Sequence, residues 1–532
     1  MKKILLPLLL GAIVTALPAG AQNNSNSDAR KLQMALYAVS NLYVDSTDQR
    51  KLVEDAIAGM LEKLDPHSNY LNPEETKEMT EPLQGNFDGI GIQFNMLTDT
   101  LYVIQVIPGG PSERVGLRAG DRIIQVNDTV IAGVQMKTND IMKRLRGRKG
   151  TEVTVKVLRD KGAEILDFKI IRDKIPVFSL DAAYMADKTT GYIKLNRFAI
   201  SSMDEYREAF EKLRKQGMKN LVLDLQGNGG GFLNIAIDLA DEFLAKGKLI
   251  VYTEGVSQPR ETATATGKGN FEQGRLVVLV DEGSASASEI VSGAIQDWDR
   301  GIILGRRTFG KGLVQKPIPL PDGSMIRLTV SRYYTPNGRS IQKPYEKGDA
   351  DSYQHDLIDR YNKGELMSAD SIHFPDSMKY NTLTAGRVVY GGGGIMPDIF
   401  IPIDTTLSSP YHRRLIATGI VNRAAMNYLD EHRAEMVRQY KNFDKYKAGF
   451  TVPESLLQQV VEMANEEKIE YSEEQFNHAK PLLTLQLKAL IARDMYEMNQ
   501  YFQIINDIND SLKAALRIIN DPAAYSSTLE KK

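Results

Sequence analysis

The sequence predicts an α/β protein with an α+β module inserted ahead of its main sheet and helical segments at both ends. From Ser179 to Pro402, apolar strands alternate with amphipathic helices, which is typical of a largely parallel sheet covered by helices. From Gly89 to Ile171, short β-branched runs are separated by Gly and Pro turns, as in a compact α+β module. Apolar residues recur at helical spacing near both ends of the chain.

Composition agrees with a folded protein of several domains. The chain has 532 residues, of which 42% are hydrophobic and 25% are charged. A net charge of −2 gives no basic footprint, so we expect no nucleic-acid partner. The absence of cysteine excludes disulfides, thiolate metal sites and a cysteine nucleophile. Because no histidines and carboxylates have metal-ligand spacing, we expect neither a metal nor another cofactor.

The first 21 residues have the pattern of a signal peptide. Lys2 and Lys3 precede an apolar run from Ile4 to Leu17, and Ala19-Gly20-Ala21 is a small-x-small cleavage site. We therefore expect cleavage after Ala21 and a periplasmic or otherwise exported protein. The alternative is an uncleaved membrane anchor, although the apolar run is shorter than the roughly 20 residues that a span needs.

The rest of the chain divides by pattern into four regions. A polar tail at residues 23–28 is expected to precede the first helices, which should be interrupted at Asp65-Pro66. A capping box at Ser472 is expected to start a long periodic run from Phe476 to Ile519. The expected regions are an N-terminal helical region (27–80), the α+β module (84–172), the α/β core (173–404) and a C-terminal helical region (405–532).

The segment GSASASEI at residues 283–290 contains the first candidate for chemistry. It lies between an apolar strand and an amphipathic helix. A serine at such a turn presents its hydroxyl beside the free N–H groups of the helix start, which can hold an oxyanion. However, Ser286 and Glu289 also have capping-box spacing, and this segment alone favours the structural interpretation.

A glycine-rich turn, LDLQGNGGG at residues 223–231, is the second candidate. Turns at the carboxyl ends of parallel strands are usual ligand positions, and glycines allow the backbone to approach a bound group. The turn could therefore supply another oxyanion donor. Its spacing is not that of a dinucleotide fingerprint, and a tight turn without a function is the open alternative.

The third candidate is Lys311 in GRRTFGKG, residues 305–312. The segment fits part of a phosphate-binding loop, but Gly312 replaces the magnesium-binding hydroxyl, which argues against an NTPase. In an apolar pocket the pKa of Lys311 would fall, and Arg306 and Arg307 would act in the same direction if they point towards the amine. A neutral lysine could then deprotonate Ser286. The alternative is a solvated surface lysine. The histidines lie elsewhere in the sequence and are interpreted as structural or surface residues: His67, His355, His373, His412, His432 and His478.

Several long motifs occur in the order found in one family. They are FDGIGI (87–92), GLRAGD (116–121), LDLQGNGGG, GSASASEIVSGAIQDW (283–298) and GRRTFGKGLVQ (305–315). Across roughly Asp65 to Pro402 the chain resembles the C-terminal processing peptidases, or tail-specific proteases. These are Ser-Lys endopeptidases with an embedded PDZ domain. The resemblance implies a crotonase/ClpP-like α/β core. Gln226 and Gly229 depart from the Arg and Pro common in the family.

The resemblance also implies roles for individual residues. Ser286 would be the nucleophile, Lys311 the general base, and Gln315 the side chain that orients the lysine amine. The oxyanion donors would be the N–H groups of Ala287 and Gly231, with Gly230 as the next choice. In the PDZ domain, the carboxylate-binding loop would comprise Gly89, Ile90, Gly91 and Ile92, with Val115 as a further pocket residue beside Ile90 and Ile92.

These expectations describe an exported serine endopeptidase that cleaves near the C-termini of unfolded or tail-exposed proteins. Its partners would be the C-termini of protein or peptide substrates, a second copy of the chain bound through terminal helices, and an activating protein. One alternative is a catalytically silent PDZ adaptor that binds exported protein tails. Another is a crotonase-type acyl-CoA enzyme, which export argues against because that cofactor is cytosolic.

Overall fold

The computed structural model describes residues 19–97, 99–159 and 164–530. Among these residues, every helix is too short or too polar to cross a lipid bilayer. The charged and apolar parts of the expected signal peptide lie outside the described residues. The first helix already begins at Ala19 and continues through residues 23–28, so the expectation of a polar tail before it is wrong. Once nucleated, a helix gains one hydrogen bond per added residue, and polar side chains do not prevent its extension.

The N-terminal region contains three helices, as described by the structure, and one strand. The sequence patterns did not indicate this strand. Asp48 caps the second helix and Asn72 forms a capping box with Glu75 at the third. The short strand pairs antiparallel with residues 325–327 of the core. The elements are α1 (Ala19–Leu42), α2 (Gln49–Glu62), β1 (Asn69–Leu71) and α3 (Pro73–Gln84).

The inserted module is a PDZ-type sheet with two helices. Its strands are β2 (Asn86–Gly89), β3 (Ile92–Leu97), β4 (Thr100–Val106), β5 (Arg122–Val126), β6 (Thr129–Val130), β7 (Glu152–Arg159), β8 (Glu164–Ile171) and β9 (Asp173–Pro176), and its helices are α4 (Pro111–Arg114) and α5 (Thr138–Leu145). The main sheet has the order β3-β4-β5-β7-β8, and β6 pairs with β5. Strands β2 and β9 pair where the chain enters and leaves the module.

The described part of the core contains two large sheets and a two-stranded sheet of β19 and β20. Its elements are β10 (Leu180–Met185), β11 (Thr190–Leu195), α6 (Ser202–Lys215), β12 (Asn220–Asp224), α7 (Leu233–Asp241), β13 (Leu249–Gly255), β14 (Gln258–Thr264), β15 (Leu276–Val280), α8 (Ala287–Asp297), β16 (Ile302–Gly305), β17 (Leu313–Pro319), β18 (Met325–Tyr334), α9 (Ala350–Asn362), β19 (Lys379–Asn381), β20 (Val388–Tyr390) and β21 (Ile399–Phe400). The larger sheet has the order β10-β11-β12-β15-β16-β21 and is parallel except for β10. The second sheet has the order β1-β18-β13-β14, with β17 on β18.

The parallel strands are buried on both faces, as continuous apolar runs predict. Every residue of β12 and β15 is buried. The carboxyl ends of these strands lead directly into the glycine-rich turn and the Ser286 turn. Since parallel strands end at the same edge, the fold brings both candidate turns together.

The C-terminal region is entirely helical, but its helices are shorter than the sequence pattern suggested. The periodic run from Phe476 to Ile519 is divided into three helices. Helices α16 (Asp510–Ile519) and α17 (Pro522–Leu529) pack on the parallel sheet, where Leu512 and Tyr525 share a buried cluster with Val277 and Leu304. The helices are α10 (Pro410–Ala417), α11 (Ile420–Gln439), α12 (Phe443–Gly449), α13 (Glu454–Glu466), α14 (Glu473–Met495), α15 (Met498–Ile505), α16 (Asp510–Ile519) and α17 (Pro522–Leu529).

Candidate active site

Ser286 occupies the turn between β15 and α8. It is the N-cap residue of α8 and is partly buried, with φ 55° and ψ −109°. A positive φ is uncommon for a residue with a side chain, and strained turns of this kind concentrate at functional sites. The capping box expected from the sequence is present, because the Glu289 carboxylate accepts the Ser286 N–H at 2.8 Å. The structural interpretation and the nucleophile interpretation therefore apply to the same residue.

The glycine-rich turn lies against the Ser286 turn. A Cβ added at Gly230 would lie 2.9 Å from Ser286 Cβ and 3.1 Å from Ala287 N. The Gly230 N–H donates to Asn228 Oδ1 at 2.9 Å and is already used. The N–H groups of Gly231 and Ala287 make no hydrogen bond to any described residue. This pair is therefore available to an oxyanion, which favours Gly231 over Gly230 as a donor.

Lys311 immediately precedes β17 and is partly buried. Burial lowers the pKa of its amine to about 8, and the nearby charge of Arg327 on β18 acts in the same direction. Arg306 and Arg307, which were expected to add to this effect only if they point towards the amine, are paired elsewhere. Arg306 pairs with Glu282 at 2.6 Å, and Arg307 pairs with Glu365 at 2.5 Å.

A buried carboxylate holds the serine and lysine segments together. Glu289 accepts the N–H groups of Ser286 (2.8 Å), Gly310 (2.7 Å) and Lys311 (2.9 Å) and the hydroxyl of Thr308 (2.6 Å). Its side chain is fully buried, which raises its pKa to about 7 although these donors oppose the rise. Through one side chain, the start of α8 is bonded to the turn that carries Lys311.

Tyr333 makes a second link between the same two segments. Its buried hydroxyl lies 2.5 Å from the carbonyl oxygen of Lys311 and 3.2 Å from that of Ser286. The backbones of the candidate base and nucleophile therefore share two buried partners, Glu289 and Tyr333. Within the described residues, no hydrogen bond joins the Ser286 hydroxyl to the Lys311 amine, and catalytic hydrogen bonds often tighten only when substrate binds.

Gln315 lies on β17, and its amide nitrogen donates to the carbonyl of Leu313 and to the hydroxyl of Thr329, both at 3.2 Å. The Thr329 hydroxyl donates in turn to the Asp65 carboxylate at 2.9 Å. No hydrogen bond between Gln315 and the Lys311 amine is present in the described part of the chain. In this structure Gln315 is bonded to β17 and β18, and only Thr329 connects it to Asp65 of the N-terminal segment.

The PDZ module contains a cavity of 460 Å³ between β3 and α5. Ile90, Gly91 and Ile92 line it, and the N–H groups of Ile90 and Gly91 are not hydrogen-bonded to described residues. Gly89 pairs with Asp173 in the β2–β9 ladder and does not line the cavity. Val115 packs against the hydrophobic core of the module rather than on this cavity.

Comparison with known proteins gives a consistent result over most of the chain. Residues 189–350 match the family model described as Peptidase family S41, and residues 89–170 match the PDZ domain. Residues 14–76 match the Activating protease CtpB N-terminal domain, and residues 411–497 match a family of unknown function, DUF8443.

Named relatives agree with these matches. The carboxy-terminal processing protease CtpA of Bacillus subtilis (strain 168) is 34% identical over 373 residues, which are 70% of this chain and 78% of that protein. The probable CtpA-like serine protease of Staphylococcus aureus (strain N315) is 36% identical over 63% of this chain and 68% of that protein. The chain belongs to peptidase family S41. Among solved structures, the photosystem II D1 C-terminal processing protease is 31% identical to this chain. The match covers 59% of this chain and 90% of that protein, with a TM-score of 0.34.

Residues that sequence reasoning missed also surround Lys311 in the candidate site. Asp65 accepts the N–H groups of His67 and Ser68, and Arg327 donates to the His67 carbonyl at 3.3 Å. His67 itself is buried, and burial together with the charge of Lys311 lowers its pKa to about 3. It is thus neutral, with Nε2 3.0 Å from the Tyr353 hydroxyl.

The sequence carried a signal for this segment, since Asp-Pro-His-Ser groups polar side chains in a short loop. However, only the helix break was inferred from it, because nothing local indicated that β1 joins the distant strand β18. Among the described residues, no group of three or more His, Asp and Glu side chains is arranged to hold a metal ion.

Proposed function

We propose that this S41 peptidase is an exported Ser-Lys endopeptidase that cleaves near the C-termini of unfolded or tail-exposed proteins. The single observation that carries the proposal is the Glu289 carboxylate, which bonds the Ser286 turn to the Lys311 turn. An adaptor that only binds tails would not need this arrangement. The mostly parallel sheet with helices on both faces also suits a crotonase/ClpP-like core.

The proposed reaction uses the lysine in its neutral form. The Lys311 amine removes the Ser286 proton while Oγ attacks the scissile carbonyl, and the N–H groups of Ala287 and Gly231 stabilise the resulting oxyanion. Lys311 then protonates the leaving amine, which gives an acyl-enzyme and frees the C-terminal product. Water deprotonated by Lys311 attacks the acyl group, and the proton returns to Ser286.

The test compares Ser286→Ala and Lys311→Ala with controls on exposed residues, Ser257→Ala and Lys316→Ala. Cleavage of an unfolded protein substrate is followed by mass spectrometry of the products. We expect both site variants to lose at least about 1,000-fold in kcat, as removal of a nucleophile or its base does elsewhere. The controls should retain activity. Full turnover by either site variant with unchanged thermal unfolding would refute the dyad.

We further propose that the PDZ cavity binds substrate C-termini. A peptide would add to the open edge of β3 with its terminal carboxylate at the free N–H groups of Ile90 and Gly91. Its last side chain would contact Ile92 in the apolar part of the cavity. Binding isotherms for an unstructured peptide and its C-terminal amide test this, because an amide removes the charge that the loop would recognise.

Export and self-association are also proposals. A small-x-small site before residue 22 supports cleavage after Ala21, and the N-terminal mass of protein recovered from cells tests it.

Helix α1 leaves apolar side chains exposed, among them Met34 (72%) and Leu42 (76%), which supports a homodimer through this helix. A monomeric mass in light scattering at micromolar concentration would contradict the dimer. The match to an activating-protease domain at residues 14–76 also supports regulation by an activating partner protein.

A further inference from the structure

The PDZ cavity is not built by the PDZ module alone. Two of its lining residues, Asn422 on α11 and Arg493 on α14, belong to the C-terminal helical region. This region matches a family of unknown function. It therefore presents two side chains, one of them cationic, to the place where we propose that substrate tails bind.

The helical region is held against the module by direct contacts. Asn95 Nδ2 on β3 lies 3.7 Å from Met426 Sδ, one helical turn from Asn422 on α11. Arg122 on β5 forms an ion pair with Asp430 at 3.7 Å. Gly120 lies so close to this helix that an added Cβ would be 2.6 Å from Asp430 Oδ1. The position of α11 beside β3 is therefore fixed by packing along two turns.

Arg493 is oriented by its neighbours and keeps part of its binding capacity. Its Nε donates to Asp494 Oδ1 at 2.7 Å, and Nη2 donates to Asn422 Oδ1 at 2.9 Å. The Arg493 side chain is 20% exposed, whereas that of Asp494 is 3% exposed. Nη1 makes no hydrogen bond to any residue that the structure describes. The guanidinium is thus fixed at one end and available at the other.

The second arginine on the cavity, Arg146, also has an ion-pair partner, which lies outside the helical region. Arg146 forms an ion pair with Glu81 at 2.6 Å and lies over the Phe87 ring at 4.6 Å. Nη1 of Arg493 can therefore donate a charge-assisted hydrogen bond to a carboxylate that enters the cavity.

We propose that Arg493 is a specificity-determining residue that binds a carboxylate of the substrate tail, with Asn422 as its positioning residue. This inference rests on the proposed function of the PDZ cavity. Two sources of the carboxylate share this chemistry, the chain terminus itself and an acidic side chain a few residues before it. Without the helical region, the cavity would recognise the tail by its backbone donors and apolar floor alone.

The experiment measures binding of labelled peptides by fluorescence anisotropy to the full chain with Ser286→Ala, which prevents turnover. Four peptides are used, with Glu or Gln at the third position from the end and with a free or an amidated C-terminus. We expect Arg493→Gln to weaken binding of the peptide that has both Glu and a free C-terminus about tenfold, as loss of one charge-assisted hydrogen bond implies. Arg438→Gln, an exposed arginine of the same helical region, is the matched control and should change nothing.

The four peptides separate the two sources. A loss that disappears with the amides assigns Arg493 to the chain terminus, and a loss that disappears with Gln assigns it to the acidic side chain. Equal binding of all four peptides by Arg493→Gln and its parent overturns the inference while leaving the proposed function intact. Failure of the parent to bind any of them overturns the proposed role of the PDZ cavity and this inference with it.

A second variant covers the case in which Arg493→Gln fails to fold, which thermal unfolding would show. Asn422→Ala removes the partner of Nη2 and leaves the Arg493–Asp494 pair in place. We expect a loss of about threefold for the same peptides that Arg493 recognises. Unchanged affinity of the folded Asn422→Ala variant for every peptide would overturn the positioning role.

Discussion

The catalytic site and the PDZ cavity are constructed in different ways. The catalytic site uses turns at one edge of a single parallel sheet, and the buried side chains of Glu289 and Tyr333 bond those turns to each other. The cavity lies between two units, and Arg493 reaches it from a helix far along the chain. The first site is thus rigid by burial, whereas the second depends on how two units are packed. Substitutions should therefore affect kcat at the first and peptide affinity at the second.

Apart from loss of Ser286 or Lys311 themselves, the largest expected effect comes from Glu289→Gln. Glutamine keeps the size of the side chain but places an NH₂ group where donors point, so at least one of the four bonds is lost. We expect kcat to fall about 100-fold, because misplacement of catalytic groups by about 1 Å has effects of that size. Steady-state kinetics on an unfolded substrate measure it. Glu208→Gln, at an exposed position on α6, is the control. An unchanged kcat for Glu289→Gln would show that the Glu289 side chain does not organise the site.

Gly230→Ala should reduce kcat about 30-fold by disturbing the oxyanion site, a little less than the removal of one oxyanion donor. Gly230 has φ +103°, and its added Cβ would contact Ala285 O and Ser286 Cβ. The adjacent Gly229→Ala is a matched control, because a Cβ there has nothing within 4 Å and φ is not positive. Equal kcat values for the two variants would contradict the close approach of the turns.

The pH dependence tests the lysine. The proposed mechanism requires a neutral Lys311, so kcat/KM should rise as pH increases through about 8 and fall as the amine is protonated below that value. Arg327→Gln removes a positive charge that favours the neutral form, so the midpoint should move to higher pH. Activity at pH 7 should then fall about fivefold.

Arg332→Gln, exposed on the same strand, is the control for this pH profile. A midpoint that stays in place in Arg327→Gln would mean that burial alone lowers the pKa of Lys311. Activity that does not change between pH 6 and 9 in the unsubstituted protein would exclude a lysine base.

The smallest expected effect is that of Ile92→Ala in the PDZ cavity. Loss of part of the apolar lining should raise KM for a tail-bearing substrate about threefold and leave kcat unchanged, since no residue of the Ser286, Lys311 or glycine-rich turns lines the cavity. The same variant should cleave a short peptide without a recognised tail at the normal rate. A fall in kcat as large as the rise in KM would show that the two sites are coupled. Substitutions in the cavity would then affect the chemical step as well as peptide affinity.

The local parts of the catalytic site were accessible from the sequence. Strand β15, the Ser286 turn and α8 are consecutive, and their apolar run, small residues and capping box indicated a strand, a turn and a helix. The glycine-rich turn was found in the same way. By contrast, no local pattern showed that Arg327, rather than Arg306 or Arg307, acts on Lys311, because that depends on how β17 pairs with β18.

Likewise, the sequence indicated that the C-terminal region is helical, and the structure confirms this. It could not show that α16 and α17 cover the parallel sheet or that α11 and α14 flank the PDZ cavity. An amphipathic helix reveals that it must bury one face, but not against which partner.

By itself, the sequence determined the alternation of strands and helices, the family, and the residues that form the two candidate catalytic turns, because each depends on neighbours along the chain. Only the tertiary structure decided which charges surround Lys311, which N–H groups remain unpaired, and that Arg493 lies at the PDZ cavity. These features arise between segments distant in sequence, where packing of whole elements fixes the distances on which electrostatic and hydrogen-bond energies depend.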